Sequence, residues 1–110
     1  MPYTPLRNIQ HQVLTKQDFT GNSLFGKWVH DHVYAVYSYA MPIYAYAAGT
    51  WFENTDARGF SRTTSRHLSA ARPSAHDQTR KLSNEDMRAL LDPFTEIGCT
   101  IKMLAEAGQP

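Results

Sequence analysis

A single cysteine, Cys99, leaves nothing to form an internal disulfide and cannot supply a paired-cysteine metal knuckle. No apolar run approaches the roughly 18 residues that a membrane-spanning helix requires. The start, Met1-Pro2-Tyr3-Thr4-Pro5, lacks the basic stretch and apolar segment of a secretory signal, so the expected compartment is the cytoplasm, with no membrane partner. Six glycines are scattered and form neither a phosphate loop nor a dinucleotide-binding pattern. No cofactor or resident metal is expected. The net charge of +1 predicts no polyanion partner by itself. What remains is an ordinary globular composition, 42% hydrophobic and 19% charged, in a chain of 110 residues, the usual length of one domain.

The charge is unevenly spread. Between Arg58 and Lys81 stand Arg58, Arg62, Arg66, Arg72, Arg80 and Lys81 against Asp77 alone. From Asn84 onward Arg88 and Lys102 face Glu85, Asp86, Asp92, Glu96 and Glu106. A basic middle and an acidic tail can pair within the fold, or the basic block can receive an anion.

Residues 1–26 read as an irregular segment, with turn signals at Thr20-Gly21-Asn22 and Gly26 and one short strand over Gln12–Lys16. Residues 27–64 carry the sheet. Val33 to Tyr39 is dense in β-branched and aromatic residues, Met41-Pro42 interrupts it, and Ile43 to Ala47 resumes with strict alternation. Ala48-Gly49 is a turn signal, Thr50 to Glu53 a third strand, Asn54 to Gly59 a loop, and Phe60 to Thr64 a fourth strand. Connections this short predict an antiparallel meander of three to four strands. Residues 65–107 read as helical: a short helix capped by Thr64 or Ser65 and ended by Pro73, then a polar linker to Lys81. A helix capped at Ser83-Asn84 runs to Leu91, and a final helix carries Phe94, Ile97, Ile101, Leu104 and Ala105 on one stripe. The expected fold is one α+β domain over 1–110, a small meander sheet with the C-terminal helices packed on one face. Cys99 falls inside the stripe and reads as a small core residue.

Three groups of residues invite chemistry. Ser61 to Ser69 sets five hydroxyls, two guanidiniums and an imidazole where a helix begins, and exposed N–H groups and arginine forks there suit phosphate or carboxylate. With Arg58, the candidate anion or partner site is Arg58, Arg62, Thr64, Ser65, Arg66, His67 and Ser69. The alternative is structural: a capped helix, arginines paired with the acidic tail, and His67 held by a local bond. The second group is aromatic. Tyr37 and Tyr39 share one strand face with Tyr34 on the other, and Tyr44 and Tyr46 likewise share a face, so aromatics occupy both sides of the sheet. One side is core, and an exposed one could stack on bases or anchor a protein. The third is His30-Asp31-His32, which could join His67 or His76 on a metal, although the spacing does not require it. No linked catalytic constellation joins serine, histidine and aspartate, and no catalytic residue is assigned.

The run Val36-Tyr37-Ser38-Tyr39, then Pro42-Ile43, Trp51, and Phe60-Ser61-Arg62-Thr63-Thr64-Ser65-Arg66-His67-Leu68-Ser69 resembles a group of short proteins from bacteriophages and their hosts, of no assigned activity. Those carry a similar "YSY.TPI … W … YS.TTSRH.S" string over what are here residues 33–72. Phe60 stands where that group often has tyrosine, and Ala40-Met41 precede Pro42 where it often has threonine. The resemblance implies a mobile-element origin and an accessory role, commonly the binding or inhibition of a host component.

Two functions are expected. The first is a non-enzymatic protein that binds and modulates or inhibits a host defence protein through the aromatic face and the basic segment. The second is a small nucleic-acid-binding module with Arg58, Arg62 and Arg66 on phosphates. An exposed aromatic face on so small a domain is also compatible with a homodimer.

Overall fold

The computed structural model describes residues 6–21, 23–30, 32–73, 79–92 and 94–107. Its centre is a mixed sheet of six strands in sequence order: β1 (Phe19–Thr20), β2 (Leu24–His30), β3 (Val33–Ser38), β4 (Met41–Ala47), β5 (Thr50–Asn54) and β6 (Thr79–Leu82). β1 to β5 form an antiparallel meander, as the short connections require, and β6 joins β5 in parallel. A parallel neighbour needs a long crossover, and residues 55–78 supply it through a 3-10 turn (Thr55–Ala57) and helix α2 (Arg62–Ala70). The remaining helices are α1 (Leu6–Leu14), α3 (Asn84–Leu91) and α4 (Glu96–Ala107).

The α+β class stands, but the sheet has six strands and is mixed, against three to four antiparallel ones expected, and further details change. The expected strand over Gln12–Lys16 is the end of α1, whose Ile9 and Val13, one turn apart, are buried in the core. Phe60 to Thr64 is not a strand. Ser61 is extended (φ −159, ψ 163) and its Oγ accepts from the Thr64 backbone N–H, so α2 starts at Arg62. The polar linker ends in β6, an edge strand whose Arg80 and Lys81 are exposed, as charged edge strands are. The C-terminal helix α3 packs on one face with α4 against it, as expected, but the other face is covered as well, by α1 and α2.

Strand chemistry explains how both sides are filled. Tyr34, Val36, Ile43 and Tyr44 face α1 and α2 with Ile9, Val13, Phe19, Leu24 and Leu68. Val33, Ala35, Ala45 and Ala47 face the other way and pack under Met87, Leu90 and Leu91 of α3. Large rings thus fill one layer, while small residues let α3 lie close on the other. The pairing is irregular in β2 between Trp28 and His30, and again in β4. Val36 pairs with Tyr44 and Tyr37 with Pro42, so Ile43 is the extra residue of a β-bulge. Ile43 and Tyr44 therefore join the same core. Pro42, which has no N–H for a ladder, sits inside β4 beside this bulge rather than in a turn.

The turns follow from backbone sterics. Ala48 (φ +50) and Gly49 (φ +76) make the two-residue turn between β4 and β5, the left-handed pair that suits strand twist. Tyr39 (φ +56) is left-handed in the β3–β4 turn, a position that costs a non-glycine residue on the order of 1 kcal/mol. Gly26, expected at a turn, lies buried in β2, where a Cβ would overlap the Phe19 ring and the Tyr34 hydroxyl. α3 is capped as expected, Ser83 Oγ accepting from the Asp86 N–H. Gly98 in α4 lets that helix approach the end of α3, since a Cβ there would strike the Asp92 carbonyl. Cys99 is exposed and not core, and Phe94 precedes α4 and is 95% exposed. The side chains of Ile101, Leu104 and Ala105 lie outside the described residues. Among the described residues no helix is long and apolar enough to cross a membrane.

Gly26→Ala is expected to lower unfolding stability by about 1–3 kcal/mol, because a new methyl group must displace two packed rings. A urea unfolding midpoint equal to that of the unsubstituted chain would contradict this packing.

Candidate functional site

α2 presents three faces, and they sort the predicted site residues. Thr64, His67 and Leu68 point inward and are buried. Ser65 and Ser69, four apart and hence on one flank, line an open cleft with Arg72, three residues further. Arg62 and Arg66 lie exposed on the remaining surface. The expected cluster is therefore split: the cleft collects Arg58, Ser65 and Ser69, while Thr64 and His67 are structural and Arg62 and Arg66 stand outside it.

The inward face is a chain of hydroxyls ending on an imidazole. Ser61 Oγ donates to Thr64 Oγ1 at 3.0 Å, Thr64 Oγ1 lies 3.3 Å from Ser38 Oγ, and Ser38 Oγ lies 2.7 Å from His67 Nδ1. Ser38 is 1% exposed and His67 4%, so a substrate has no access to this serine–histidine pair. The pair ties α2 to the end of β3 instead. Burial, reinforced by the neighbouring Arg66 charge, holds the His67 pKa below its ordinary value. The neutral ring can then accept at Nδ1, with each hydroxyl donating onward. The Tyr39 ring, 56% exposed, lies with its centroid 6.1 Å from that of His67.

The cleft has a volume of about 280 Å³ and is lined by Tyr44, Glu53, Arg58, Gly59, Ser65, Leu68, Ser69 and Arg72. Its parts are held from below. Tyr44 donates its hydroxyl to the Leu68 carbonyl at 2.6 Å, and the Gln10 amide donates to the Arg72 carbonyl at 2.9 Å. Carbonyls at a helix C-terminus have no intrahelical donors, so these bonds cap α2 and fix Arg72. Across the cleft, Glu53 is buried at the end of β5 and accepts from Arg58 Nε at 2.8 Å. That bond holds the guanidinium charged and uses one edge of it; the two terminal nitrogens are not part of it. Gly59 (φ +74) turns the chain back toward α2 immediately afterwards.

The position of Arg58 follows from Asn54. Its side chain is fully buried, donates to the Pro42 carbonyl (2.7 Å) and to Asn84 Oδ1 (2.8 Å), and accepts from the Asp56 N–H (2.9 Å). Asp56 in turn accepts from the Asn84 N–H at 2.7 Å. This network caps the 3-10 turn and locks it to β4 and α3.

The aromatic expectation is largely overturned. Tyr44 is core, and Tyr46 is half-buried under Lys16, whose ammonium lies 4.2 Å from its ring centroid. Tyr37 is half-buried and stacked on Phe25 at 5.0 Å on the α3 side. Tyr39 shares no strand face with it, because it sits in the turn. With helices on both sides most sheet rings are at least half-covered, and the accessible part of the sheet is a small patch of Trp28, 42% exposed, beside half-buried Tyr46 and Trp51. Exposed rings near the basic segment are Tyr39 and Phe60, the latter 63% exposed between Gly59 and Ser61. Glu85 and Asp86 stand in the first turn of α3 on the opposite face of the sheet, and among the described residues Arg58 of the basic block pairs with Glu53. Asp31 and His76 lie outside the described residues, and among these no three His, Cys, Asp or Glu groups gather as a metal site.

Sequence reasoning left out Arg72 and Glu53. The signal for Arg72 was the Ser65, Ser69, Arg72 spacing, four and three residues apart along one flank of a helix. Glu53 gave none, since an acid at a strand end looks solvent-exposed.

Two outcomes follow. Tyr44→Phe should cost about 1–2 kcal/mol in chemical unfolding, the usual loss when a buried carbonyl is stripped of its donor. Because His67 takes up a proton less readily folded than unfolded, its contribution is present above the ordinary imidazole pKa of about 6.5 and is lost as pH falls below it. The unfolding midpoint should therefore drop from pH 7.5 to 5.5 by more in the unsubstituted chain than in His67→Gln. Equal drops would contradict the buried neutral ring.

No curated protein and no solved structure matches the chain. Residues 7–88 match a family of unknown function, DUF8033, and that stretch runs from α1 through the cleft to α3. The chain belongs to this family, DUF8033, and the cleft beside α2 lies wholly within the matched region.

Proposed function

We propose that the protein is a non-enzymatic binding module that engages an acidic element of a partner protein through the surface running from Arg58 to Arg72, and modulates that partner by occupying it. The observation that carries this reading is the cleft: two arginines from separate elements line it together with two serines. Arginine forks and hydroxyls are the donors that acidic groups need. Phe60 and Tyr39, both exposed, flank the basic face and supply the rigid apolar anchors that protein interfaces favour. The resemblance to short phage and host proteins makes a host protein the expected partner, and inhibition of a defence component the expected outcome.

A nucleic-acid reading draws on a different observation, the outward Arg62 and Arg66 near those same exposed rings. The two separate by salt dependence and by residue. A labelled Glu-rich peptide and labelled single-stranded DNA and RNA are compared by fluorescence anisotropy at about 50 and 200 mM salt. The protein-binding reading expects the peptide to bind and to lose about tenfold or more in affinity in Arg58→Ala/Arg72→Ala, a loss of about 1.4 kcal/mol or more. It expects Phe60→Ala to weaken binding as well. Tighter binding of an oligonucleotide, falling steeply with salt and abolished in Arg62→Ala/Arg66→Ala, would overturn it.

A further inference from the structure

The cleft holds two cations and one buried anion, and that balance bears on which acidic group it accepts. We propose that it is selective for a singly charged carboxylate, an aspartate or glutamate side chain of the partner, and that Glu53 is the residue that sets this selectivity by rejecting phosphoryl groups. The proposal rests on the protein-binding reading above and adds the chemistry of the recognised group.

Glu53 ends β5 with its carboxylate buried and one oxygen on Arg58 Nε. An anion gripping the terminal nitrogens of Arg58 lies beyond that bond, roughly 6–8 Å from the Glu53 carboxylate by guanidinium dimensions and charge-assisted bond lengths. At that range a partly buried charge is screened little by salt, so each negative charge on the ligand meets repulsion from Glu53. Arg58 and Arg72 together outweigh Glu53 by one charge, which matches a carboxylate. A phosphomonoester carries about −1.5 to −2 at pH 7 and overcharges the cleft. Size agrees: about 280 Å³ lies at the lower limit of small-molecule pockets, and holds a side-chain head group rather than a nucleotide. The donors agree as well, because a carboxylate offers few acceptor sites and the two guanidiniums with Ser65 and Ser69 saturate them. Tyr44 and Leu68 line the same cleft and give the ligand's methylene groups an apolar surface.

The test is an NMR titration of the isotopically labelled protein with two small probes, N-acetylglutamate methylamide and N-acetylphosphoserine methylamide. At about pH 7.5, where the phosphoserine is a dianion, the glutamate probe is expected to bind about threefold or more tightly than the phosphoserine probe. Glu53→Gln should invert the order, the phosphoserine probe gaining about tenfold when one like charge is removed at this range. The unsubstituted chain gives a second reading that needs no variant: the phosphoserine probe should bind better at about pH 5.5, where it is largely a monoanion. Tighter phosphoserine binding at pH 7.5, or no change between the two pH values, would overturn the selectivity and leave the protein-binding reading intact. Shifts from an acidic peptide outside the cleft, with neither probe bound at millimolar concentration, would overturn the cleft as the recognition site. If neither probe nor peptide binds, the protein-binding reading falls with it.

Discussion

Asn54 is the residue on which the arrangement of the site depends. Its amide has no exposed surface and joins the β4 backbone, the 3-10 turn and the first residue of α3 through bonds of 2.7 to 2.9 Å. A buried amide left unpaired costs about 1–3 kcal/mol for each group, so the network is held together as a unit or not at all. With the turn fixed, Glu53 on one side of Asn54 and Arg58 beyond the turn meet as an ion pair. One wall of the cleft follows from that pair. The opposite wall depends on Tyr44 and Gln10, which supply donors to the end of α2 and so hold Ser69 and Arg72 in place.

A sheet covered on both sides buries three of its rings, Phe19, Tyr34 and Tyr44, and half-covers most of the others. Tyr34 and Tyr44 are buried, and desolvation raises the pKa of both phenols. Each hydroxyl then needs an acceptor: Tyr34 donates to the Gln17 carbonyl at 2.6 Å, Tyr44 to that of Leu68. Tyrosine serves this fold by carrying a large apolar ring with one donor at its tip, which pins a loop in one case and a helix in the other. The proposed binding surface accordingly lies on the crossover between β5 and β6 rather than on the sheet.

Strands β3 to β5 were legible because their residues repeat the preferences of a pleated surface and Ala48-Gly49 marks the turn between two of them. The cap of α3 was legible too, in Ser83 followed by acids. α1 was hidden because Ile9 and Val13 are too few to announce a period. The start of α2 was hidden because Phe60 to Thr64 carries β-favouring residues, and Ser61 as N-cap outweighs them once Thr64 turns inward to Ser38. Ser65, Ser69 and Arg72 share a flank at spacings of four and three, but only the fold shows that this flank faces Glu53 and Arg58. β6 has no apolar alternation, since an exposed edge strand does not need one. The bulge at Ile43 cannot be read from a pattern that alternates without a break, yet it is what turns Tyr44 toward α2. The basic segment was legible as an anion site in composition, and the division of its residues between core, cleft and outer surface required the fold.

The most direct test of this account is a map of where an acidic peptide binds. In a two-dimensional amide and guanidinium NMR titration with a Glu-rich peptide, shifts should concentrate at Arg58, Gly59, Ser65, Ser69 and Arg72 and vanish in Arg58→Ala/Arg72→Ala. Shifts centred on the β2–β3 turn or on α4, unchanged in that double variant, would contradict the cleft as the binding surface.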